Sequence, residues 1–457
     1  MGGLGGHMSH VYENMQMTFT EFLNLFQNVS SGIIPVTEKV DGQNLFFTYD
    51  HQAGIPKFAR NATKHARVGG LTRQELTNEF IAKGAGDPGY QSVINAFDNG
   101  MTAIEKAFAN IDPVLLKQIF YEPNIYVNCE VMSGDNDNIV VFNGNFIVFH
   151  GMKIVDENFD PHEMSDEDVT NLDMQMRKAF DLLVSEIERQ EAQIANQQWK
   201  IVGPAIIKLK DLSETDFMDR LELELGQIID SAQLTFRNKF IDFVSVYLRR
   251  TMNETFAVQP SQHVFNMILT LVTETKQEKK QRIKSGNKIN LRLLNSLHGN
   301  PGDYNALRNI ASSQNAKSIL GLILEPFAQL VAHFSSEILS GSASNFAANP
   351  IQAQNILRRA TDLAIQDMPR QIKLIFQTGN SSKATSTQKR FDKNMARLRS
   401  LENISTGIEG VVFEYPPMSN RFYKFTGGFA AANQILGLIG FKEKDNYLGQ
   451  AKSEFIN

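Results

Sequence analysis

The stretch Glu38-Lys39-Val40-Asp41-Gly42-Gln43-Asn44, which runs directly into Leu45-Phe46-Phe47, decides the fold of the N-terminal part of the chain. An Asp-Gly pair is typical of a tight turn, and the apolar residues that follow it predict a β-strand. A lysine just before such a turn can project its amine from the backbone, where it can attack a phosphorus atom. The alternative is an ordinary surface lysine beside a turn, because Lys-x-Asp-Gly also arises by chance.

Further β-type runs lie on both sides of a long helical region. They occur at Ile125–Val131 and Asn138–Ile154, and again at Gly410–Tyr415 and Phe422–Phe425. Between about 156 and 400 the apolar residues instead recur at spacings of three and four, which predicts helices. Within this region, the Gly/Ser/Thr-rich stretch Thr378–Thr387 predicts a flexible loop.

We therefore predict an α+β fold of antiparallel sheets and helices, with a large all-α domain inserted. Residues 9–155 and 401–457 would form the α+β domain together, and residues 156–400 would form the insertion. Three consecutive domains are a weaker alternative, because the C-terminal piece is too short to bury a core of its own. Residues 1–8 have the composition of a vector-derived tag, so we leave them out of this prediction.

Composition restricts the classes of protein to consider. Hydrophobic residues make up 42% of the 457 residues and the net charge is −5, so we expect a packed protein without a uniformly basic surface. A single cysteine, Cys129, excludes a disulfide framework and fits a reducing compartment. The longest apolar run, Ile319–Phe334, contains Glu325 and Pro326, so we predict no membrane span and a cytoplasmic protein.

Five short motifs follow the Lys39 stretch along the chain. They are Lys57-Phe58-Ala59-Arg60, Asn128-Cys129-Glu130-Val131, Ile147-Val148-Phe149-His150-Gly151, Glu409-Gly410-Val411-Val412-Phe413 and Tyr423-Lys424-Phe425. In this order the elements resemble the covalent nucleotidyltransferase superfamily, which contains ATP-dependent DNA ligases, RNA ligases and mRNA-capping guanylyltransferases. The resemblance covers the predicted α+β domain and excludes the helical insertion.

The resemblance is closest to phage-type RNA ligases. Their nucleophile motif has asparagine two places after the glycine, as Asn44 stands here after Gly42, whereas DNA ligases and capping enzymes commonly have arginine there. The chain also ends about 30 residues after Lys424, which leaves no room for the OB-fold domain that those two classes place after this motif. We therefore expect RNA as the partner, with DNA as the alternative, and a host-cytoplasmic location for a phage enzyme. The oligomeric state stays open.

The resemblance implies a role for each matching residue. Lys39 would be the adenylated nucleophile, Glu409 would bind the catalytic metal or orient Lys39, and Lys424 would hold the α-phosphate. The cofactors would be ATP and Mg²⁺ or Mn²⁺. Glu38 would contact the adenine, Phe149 would stack on it, and Glu130 would bind the ribose. Arg60 would hold the donor phosphate, and Arg67 is the alternative candidate for that role. The other residues expected to bind the nucleotide belong to the nucleophile motif: Asp41, Gly42 and Asn44.

The last motif departs from the family. The usual Lys-x-Lys is Lys424-Phe425-Thr426 here, so one of the two phosphate-binding charges is missing. Arg421, three residues before Lys424, is the nearest candidate to replace it, and a lysine from elsewhere in the chain is the alternative. Otherwise transfer would be impaired.

The predicted insertion contains two basic clusters. The first comprises Lys276, Lys279, Lys280, Arg282, Lys284, Lys288 and Arg292, and the second comprises Lys389, Arg390, Lys393, Arg397 and Arg399. Such clusters are either solvated helix faces or contacts to a phosphate backbone. Our interpretation of the whole chain is an ATP-dependent RNA ligase that forms a lysyl-AMP intermediate. The alternatives are a DNA ligase or another adenylyltransferase on the same fold, or a non-enzymatic binding protein with a degenerate ligase core.

Overall fold

The computed structural model describes most of the chain. The residues outside its description are 1–7, 9, 41, 61–64, 85–89, 123, 135–141, 143, 156–165, 192–197, 213–214, 341, 343, 347–349, 401–407, 417–420, 439–440 and 456–457.

The strands of the described residues form two sheets. The strands are β1 (Val36–Lys39), β2 (Gln43–Asp50), β3 (Ile55–Ala59), β4 (Ile125–Met132), β5 (Asn145–Ile154), β6 (Trp199–Val202), β7 (Gly410–Glu414) and β8 (Phe422–Phe425). One sheet has the strand order β1-β7-β8 and the other the order β3-β2-β4-β5-β6. All neighbouring strands are antiparallel except β5 and β6, which are parallel. The pairing of β1 with β7 brings the N-terminal and C-terminal parts of the chain into one sheet.

Helices make up most of the remaining structure. They are α1 (Phe19–Ser30), α2 (Arg73–Gly84), α3 (Tyr90–Phe108), α4 (Pro113–Ile119), α5 (Asp166–Glu191), α6 (Asp216–Asp230), α7 (Phe240–Thr255), α8 (Gln262–Thr273), α9 (Lys276–Lys284), α10 (Leu291–His298), α11 (Tyr304–Ala311), α12 (Ser313–Ile323), α13 (Glu325–Ile338), α14 (Pro350–Gln377), α15 (Ser381–Ser400), α16 (Gly428–Leu438) and α17 (Phe441–Phe455). The fold is therefore mixed α+β. The loop predicted at Thr378–Thr387 is wrong over most of its length, because α15 begins at Ser381.

The chain divides into two compact units, and the boundaries between them differ from the predicted domain boundaries. The sheet unit comprises Met1–Met8, Ile34–Lys210 and Ser335–Asn457, and the helical unit comprises Ser9–Ile33 and Asp211–Phe334. Helices α5, α14 and α15, which were assigned to the insertion, thus belong to the sheet unit. They do so because their apolar stripes pack in the cores beside the strands.

The first helix belongs to the helical unit because its aromatic residues pack there. The ring centroid of Phe19 lies 5.0 Å from that of Phe240 and 5.6 Å from that of Phe327. Phe26 stacks on Phe334 at 4.3 Å. These contacts join segments more than 200 residues apart, so no local pattern in the sequence predicts them.

The two faces of the five-stranded sheet have different environments. Successive side chains of a strand point to opposite faces, so every second residue of β2 and β4 faces the same way. Leu45, Phe47 and Val127 belong to a hydrophobic core that also contains residues of α2, α3, α4 and α5. Asn44 and Glu130, which are direct partners across β2 and β4, occupy the other face. This face carries the polar residues of the candidate site.

Asp303 holds together a loop of the helical unit. Its buried carboxylate accepts hydrogen bonds from His298 Nε2 at 2.5 Å, Asn300 Nδ2 at 2.8 Å and the backbone N–H of Ala257 at 2.8 Å. Burial alone would raise the pKa of Asp303, but these hydrogen bonds outweigh it and hold the pKa at about 2, below the ordinary 3.8.

We expect Asp303→Asn to destabilise the helical unit by about 2 to 3 kcal/mol near neutral pH, because an NH2 group replaces one carboxylate oxygen and the buried donors that faced this oxygen lose their acceptor. Folding lowers the pKa of Asp303 from the ordinary 3.8 to about 2. The stabilisation is therefore fully present above pH 3.8 and is lost as the pH falls towards about 2. The difference in unfolding free energy between the parent and the variant should therefore shrink over that interval. Denaturant unfolding measured at several pH values checks this, with Asp219→Asn on the exposed surface of α6 as the control. A difference that does not depend on pH would contradict the assignment.

No single helix among the described residues is both long enough and apolar enough to cross a bilayer. The pair Gln314–Ile323 and Glu325–Ile338 reaches that length and composition only when taken together, and it is bent by 61°.

Candidate functional site

Lys39 is the last residue of β1 and lies directly opposite Gly410, the first residue of β7. Its Nζ atom is 2.5 Å from Oε2 of Glu409. The lysine side chain is 25% exposed and the glutamate side chain 14%, so the pair is sheltered but accessible to a ligand. Two residues that are 370 positions apart in sequence are thus joined by the pairing of β1 with β7.

The three-stranded sheet places a second amine on the same face as Lys39. Lys424 of β8 is paired with Val412 of β7, and Val412 is paired with Thr37 of β1. Because the side chains alternate, Thr37 and Lys39 share their face with Lys424. Strands are spaced by about 4.8 Å, so the two lysines are separated by one intervening strand and can both reach one phosphate group.

Gly410 permits a close approach of β8 at this position. A Cβ atom added there would lie 2.2 Å from the carbonyl oxygen of Phe425 and 3.0 Å from Cγ2 of Thr426. No side chain fits in that space without displacing backbone. Thr426 therefore lies beside the position opposite Lys39, on the face that also carries Lys424.

The nearby face of the five-stranded sheet contributes polar groups. Asn44 donates a hydrogen bond from Nδ2 to Oδ1 of Asn128 at 2.8 Å. Gly42 lies directly before β2. A Cβ atom added at Gly42 would lie 2.9 Å from Cγ of Met132 and 3.1 Å from Cβ of Glu130. The glycine after the predicted nucleophile is thus required by close packing against β4.

Glu130 is the carboxylate at the centre of this face. Burial alone would raise its pKa, but His150, Lys39 and the backbone N–H of Gly42 together lower it. His150 Nε2 lies 3.7 Å from Glu130 Oε2. Lys39 is thus near enough to Glu130 to favour its charged form.

Arg60 follows β3 and reaches the same group of residues. Its Nη1 donates a hydrogen bond to the backbone oxygen of Asn44, and its guanidinium lies 4.8 Å from the ring centroid of Phe97. Burial lowers the pKa of Arg60, and the nearby Tyr90 and Glu130 oppose this effect. Its rival Arg67 is an exposed residue of the short turn Ala66–Val68.

Two acceptor atoms of the candidate site lack a donor within the described part of the chain. They are Oδ1 of Asn44 and Oε2 of Glu130, and both are buried. Buried acceptors are costly to leave unpaired, so such atoms indicate a ligand or water that donates to them. Ribose hydroxyls supply donors of this kind, so the donor set fits a nucleotide.

Phe149 does not line the site. It is 1% exposed and belongs to the core on the other face, where its ring lies 5.3 Å from that of Phe47. The predicted stacking on adenine is therefore corrected, because the alternation of β5 points Phe149 away from Glu130. The next residue, His150, occupies the site instead. The sequence signal that could have identified it is a single ionisable side chain, His150, directly after the apolar run Phe146–Phe149.

Glu38 also differs from its predicted role. Its side chain is buried and accepts hydrogen bonds from Oγ of Ser344 and from the backbone N–H of Asn345, the latter at 2.9 Å. Burial raises its pKa despite these bonds. Alternation in β1 also places Glu38 on the face opposite to Lys39, so its carboxylate supports the 344–345 loop and is not directed at the adenine pocket.

Two further predictions concern the ends of the site. Asp41 lies outside the described residues. Arg421 lies away from the site. Its backbone oxygen accepts a hydrogen bond from the N–H of Tyr415, the residue that follows the C-terminal end of β7. Lys39 instead lies opposite Gly410, at the N-terminal end of β7. With a rise of about 3.3 Å per residue, these ends are about 15 Å apart. Arg421 is therefore misplaced as the second phosphate-binding charge.

A metal ion was predicted at Glu409. Within the described ranges, no group of three or more His, Cys, Asp or Glu side chains is arranged to hold one. Magnesium commonly uses one or two carboxylates together with substrate phosphates and water, so Glu409 beside a bound triphosphate fits that donor set.

Comparisons of the chain with models of protein families, with curated proteins and with solved structures gave no match.

Proposed function

We propose that this chain is an ATP-dependent polynucleotide ligase of RNA-ligase type, which forms a covalent lysyl-AMP intermediate on Lys39. The observation that carries the proposal is the 2.5 Å contact between Lys39 Nζ and Glu409 Oε2. Glu130 and Lys424 accompany this pair on the faces of the two sheets described above. A nucleophilic amine, a carboxylate beside it and a cation for phosphate are the groups that nucleotidyl transfer requires.

The proposed reaction has three steps. In the first, Nζ of Lys39 loses a proton and bonds to the α-phosphorus of ATP, and the bond to the pyrophosphate leaving group breaks. In the second, a terminal 5′-phosphate oxygen of the polynucleotide displaces Lys39 from AMP. In the third, a 3′-hydroxyl attacks that 5′-phosphate, seals the strand and releases AMP.

The side chains have distinct tasks in these steps. Glu409 holds Lys39 in place before attack, and Lys424 and Arg60 neutralise phosphate charge. Glu130 and Asn44 accept hydrogen bonds from the ribose through their buried oxygens. When bound, Mg²⁺ or Mn²⁺ would be held by Glu409 and would neutralise charge on the phosphates.

Charge on the helical unit supports a nucleic-acid substrate. On and after α9 the exposed lysines include Lys280, Lys284 and Lys288. Arg282 of the same cluster is committed elsewhere, because it forms a bidentate ion pair with Glu274 at 2.7 and 2.9 Å. The exposed cations of the cluster that the structure describes are thus these lysines together with Arg292, and such a surface suits a phosphate backbone.

The test of this proposal is a pair of assays on the purified chain. Incubation with α-labelled ATP and Mg²⁺ should label the protein through denaturing electrophoresis, whereas γ-labelled ATP should not. Nicked duplexes and single-stranded ends of RNA and of DNA then identify the acceptor. Labelling with sealing of DNA alone would make the chain a DNA ligase, and labelling without any sealing would indicate another adenylyltransferase. The absence of label would favour a binding protein that retains only the fold.

We expect Thr426→Lys to accelerate formation of the lysyl-AMP adduct by about tenfold or more, because a second cation would face the α-phosphate beside Lys424. Arg421→Ala should leave the rate unchanged, since that residue lies at the far end of β7. Single-turnover labelling measures both. Thr255→Lys on exposed α7 is the control that adds the same charge elsewhere. A sharp loss in Arg421→Ala would contradict this placement of the last motif.

A further inference from the structure

A polar cavity lies in the sheet unit, away from the residues of the proposed reaction. It has a volume of about 520 Å³ and is formed by the first half of α15 and the end of α16. The lining residues that matter here are Lys383, Ser386, Thr387 and Arg390 on α15, and Gly437 on α16. The positions 383, 386, 387 and 390 are spaced as one helix face, so their side chains point in a common direction.

The charge of this cavity is positive. Lys383 and Arg390 are exposed, and neither forms an ion pair with any residue that the structure describes. None of the lining residues is a carboxylate. Two cations without counter-charges, beside hydroxyl groups, form a site for an anion with several oxygen acceptors.

Thr387 provides independent evidence for a ligand. Threonines within helices commonly donate to the carbonyl four residues earlier, as Thr385 does to Ser381 at 3.0 Å in the same helix. Thr387 is only 8% exposed, yet its hydroxyl makes no hydrogen bond within the described ranges. It lines the cavity between the two cations. The hydroxyl of this largely buried side chain is therefore available to donate to a bound oxygen.

The opposite wall leaves room for such a group. A Cβ atom added at Gly437 would meet nothing within 4 Å. The volume also exceeds what one inorganic anion requires, so the cavity can accept a phosphate together with part of the molecule that carries it.

We propose that this cavity binds a backbone phosphate of the polynucleotide substrate, an inference that rests on the proposed function for the identity of the ligand. The extended charge of α15 favours a polyanion over a single small anion. Its cationic residues are Lys383, Lys389, Arg390, Lys393, Arg397 and Arg399, against the single acidic residue Asp392.

The position of the cavity suits a strand that continues from the reaction centre. Helix α16 begins two residues after Thr426, and the cavity lies at its other end. Eleven residues of helix span about 16 Å at about 1.5 Å per residue. A strand stacked as in a duplex covers that distance in about five nucleotides. The cavity would therefore hold the substrate a few nucleotides away from the end that reacts at Lys39.

The experiment measures binding of a fluorescent single-stranded oligoribonucleotide by anisotropy at several salt concentrations. Lys383→Ala combined with Arg390→Ala should weaken binding about tenfold at low salt and reduce the salt slope by about 0.7, since the cavity holds one phosphate and each single-strand phosphate contact contributes about 0.7. Lys106→Ala combined with Lys117→Ala, on the exposed faces of α3 and α4, removes equal charge and should leave binding unchanged. Thr387→Val keeps the shape of the side chain and should weaken binding several-fold.

Two further arms identify the source of the phosphate and separate this inference from the proposed function. If pyrophosphate binds in a manner that needs Lys383 and Arg390 while oligonucleotide binding does not, the cavity is a small-anion site and the inference fails. Equal oligonucleotide affinity in the parent and the double variant also overturns it. Labelling of the parent chain with ATP alone reports the proposed function independently, because that step needs no polynucleotide. Circular dichroism confirms that each variant is folded.

Discussion

Lys39→Ala should form no covalent adduct with α-labelled ATP, whatever the incubation time. The reason is positional: the amine at the end of β1 contacts Glu409 and lies on the face shared with Lys424. Lys424 is separated from it by a strand and cannot substitute as the nucleophile. Lys39→Arg should fail as well, since a guanidinium keeps the charge but is not a nucleophile at any accessible pH. Single-turnover labelling with each variant measures the effect.

A matched control is available in the same sheet unit. Lys57 on β3 is partly exposed like Lys39, and it forms an ion pair with Asp50 at 3.6 Å. Lys57→Ala should therefore form the adduct at the rate of the parent. If Lys39→Ala retains label, or if both variants lose it, Lys39 is not the nucleophile.

Gly410→Ala should destabilise the three-stranded sheet by at least about 3 kcal/mol, because the added methyl group would overlap the backbone oxygen of Phe425. Only movement of β8 away from β7 would relieve the contact, and that movement displaces Lys424. We therefore expect loss of adduct formation together with lower stability. Thermal unfolding and single-turnover labelling of the same preparation measure both effects.

Gly449→Ala in α17 is the matched control for that substitution. A Cβ atom at Gly449 meets nothing within 4 Å, and alanine is favoured over glycine inside a helix by about 0.5 to 1 kcal/mol. The control should be slightly more stable than the parent and fully active. A Gly410→Ala variant with the stability of the parent would show that β7 and β8 approach less closely than described.

The sequence predicted those parts of the site that depend on local pattern. The Asp-Gly turn after Lys39 and the apolar runs around it indicate strands by themselves. The pairing of Lys39 with Glu409 could be predicted only through the resemblance to a known superfamily, because no local rule joins residues 370 positions apart. The structure brings together Lys39, Glu409, Glu130 and Arg60, and it adds His150.

The predictions that were wrong concern the direction of side chains. Phe149 was chosen as an aromatic residue in a motif, but the face on which it lies depends on the register between β4 and β5. That register shifts between Asn128 and Cys129, so counting along one strand does not fix it. The side chain of Glu38 is held by a hydrogen bond from Ser344, 306 residues later in the chain. The residues next to Glu38 in the sequence do not indicate this contact.

The domain boundaries were also set by long-range packing. Periodicity shows that α1, α5, α14 and α15 are helices with an apolar face, but it does not show which core that face joins. The aromatic contacts of Phe19 and the packing of α5 beside β5 and β6 decide this in the folded chain.

The central claim is that Lys39 carries AMP through a bond between nitrogen and phosphorus, and one measurement tests it most directly. The parent chain is incubated with ATP and Mg²⁺, digested at a pH that preserves phosphoramidates, and its peptides are sequenced by mass spectrometry. We predict a single modified peptide that includes residues 38–44 and carries one AMP on the side chain of Lys39, with the modification lost in mild acid. AMP on another lysine, or no modified peptide from fully folded protein, would contradict the account.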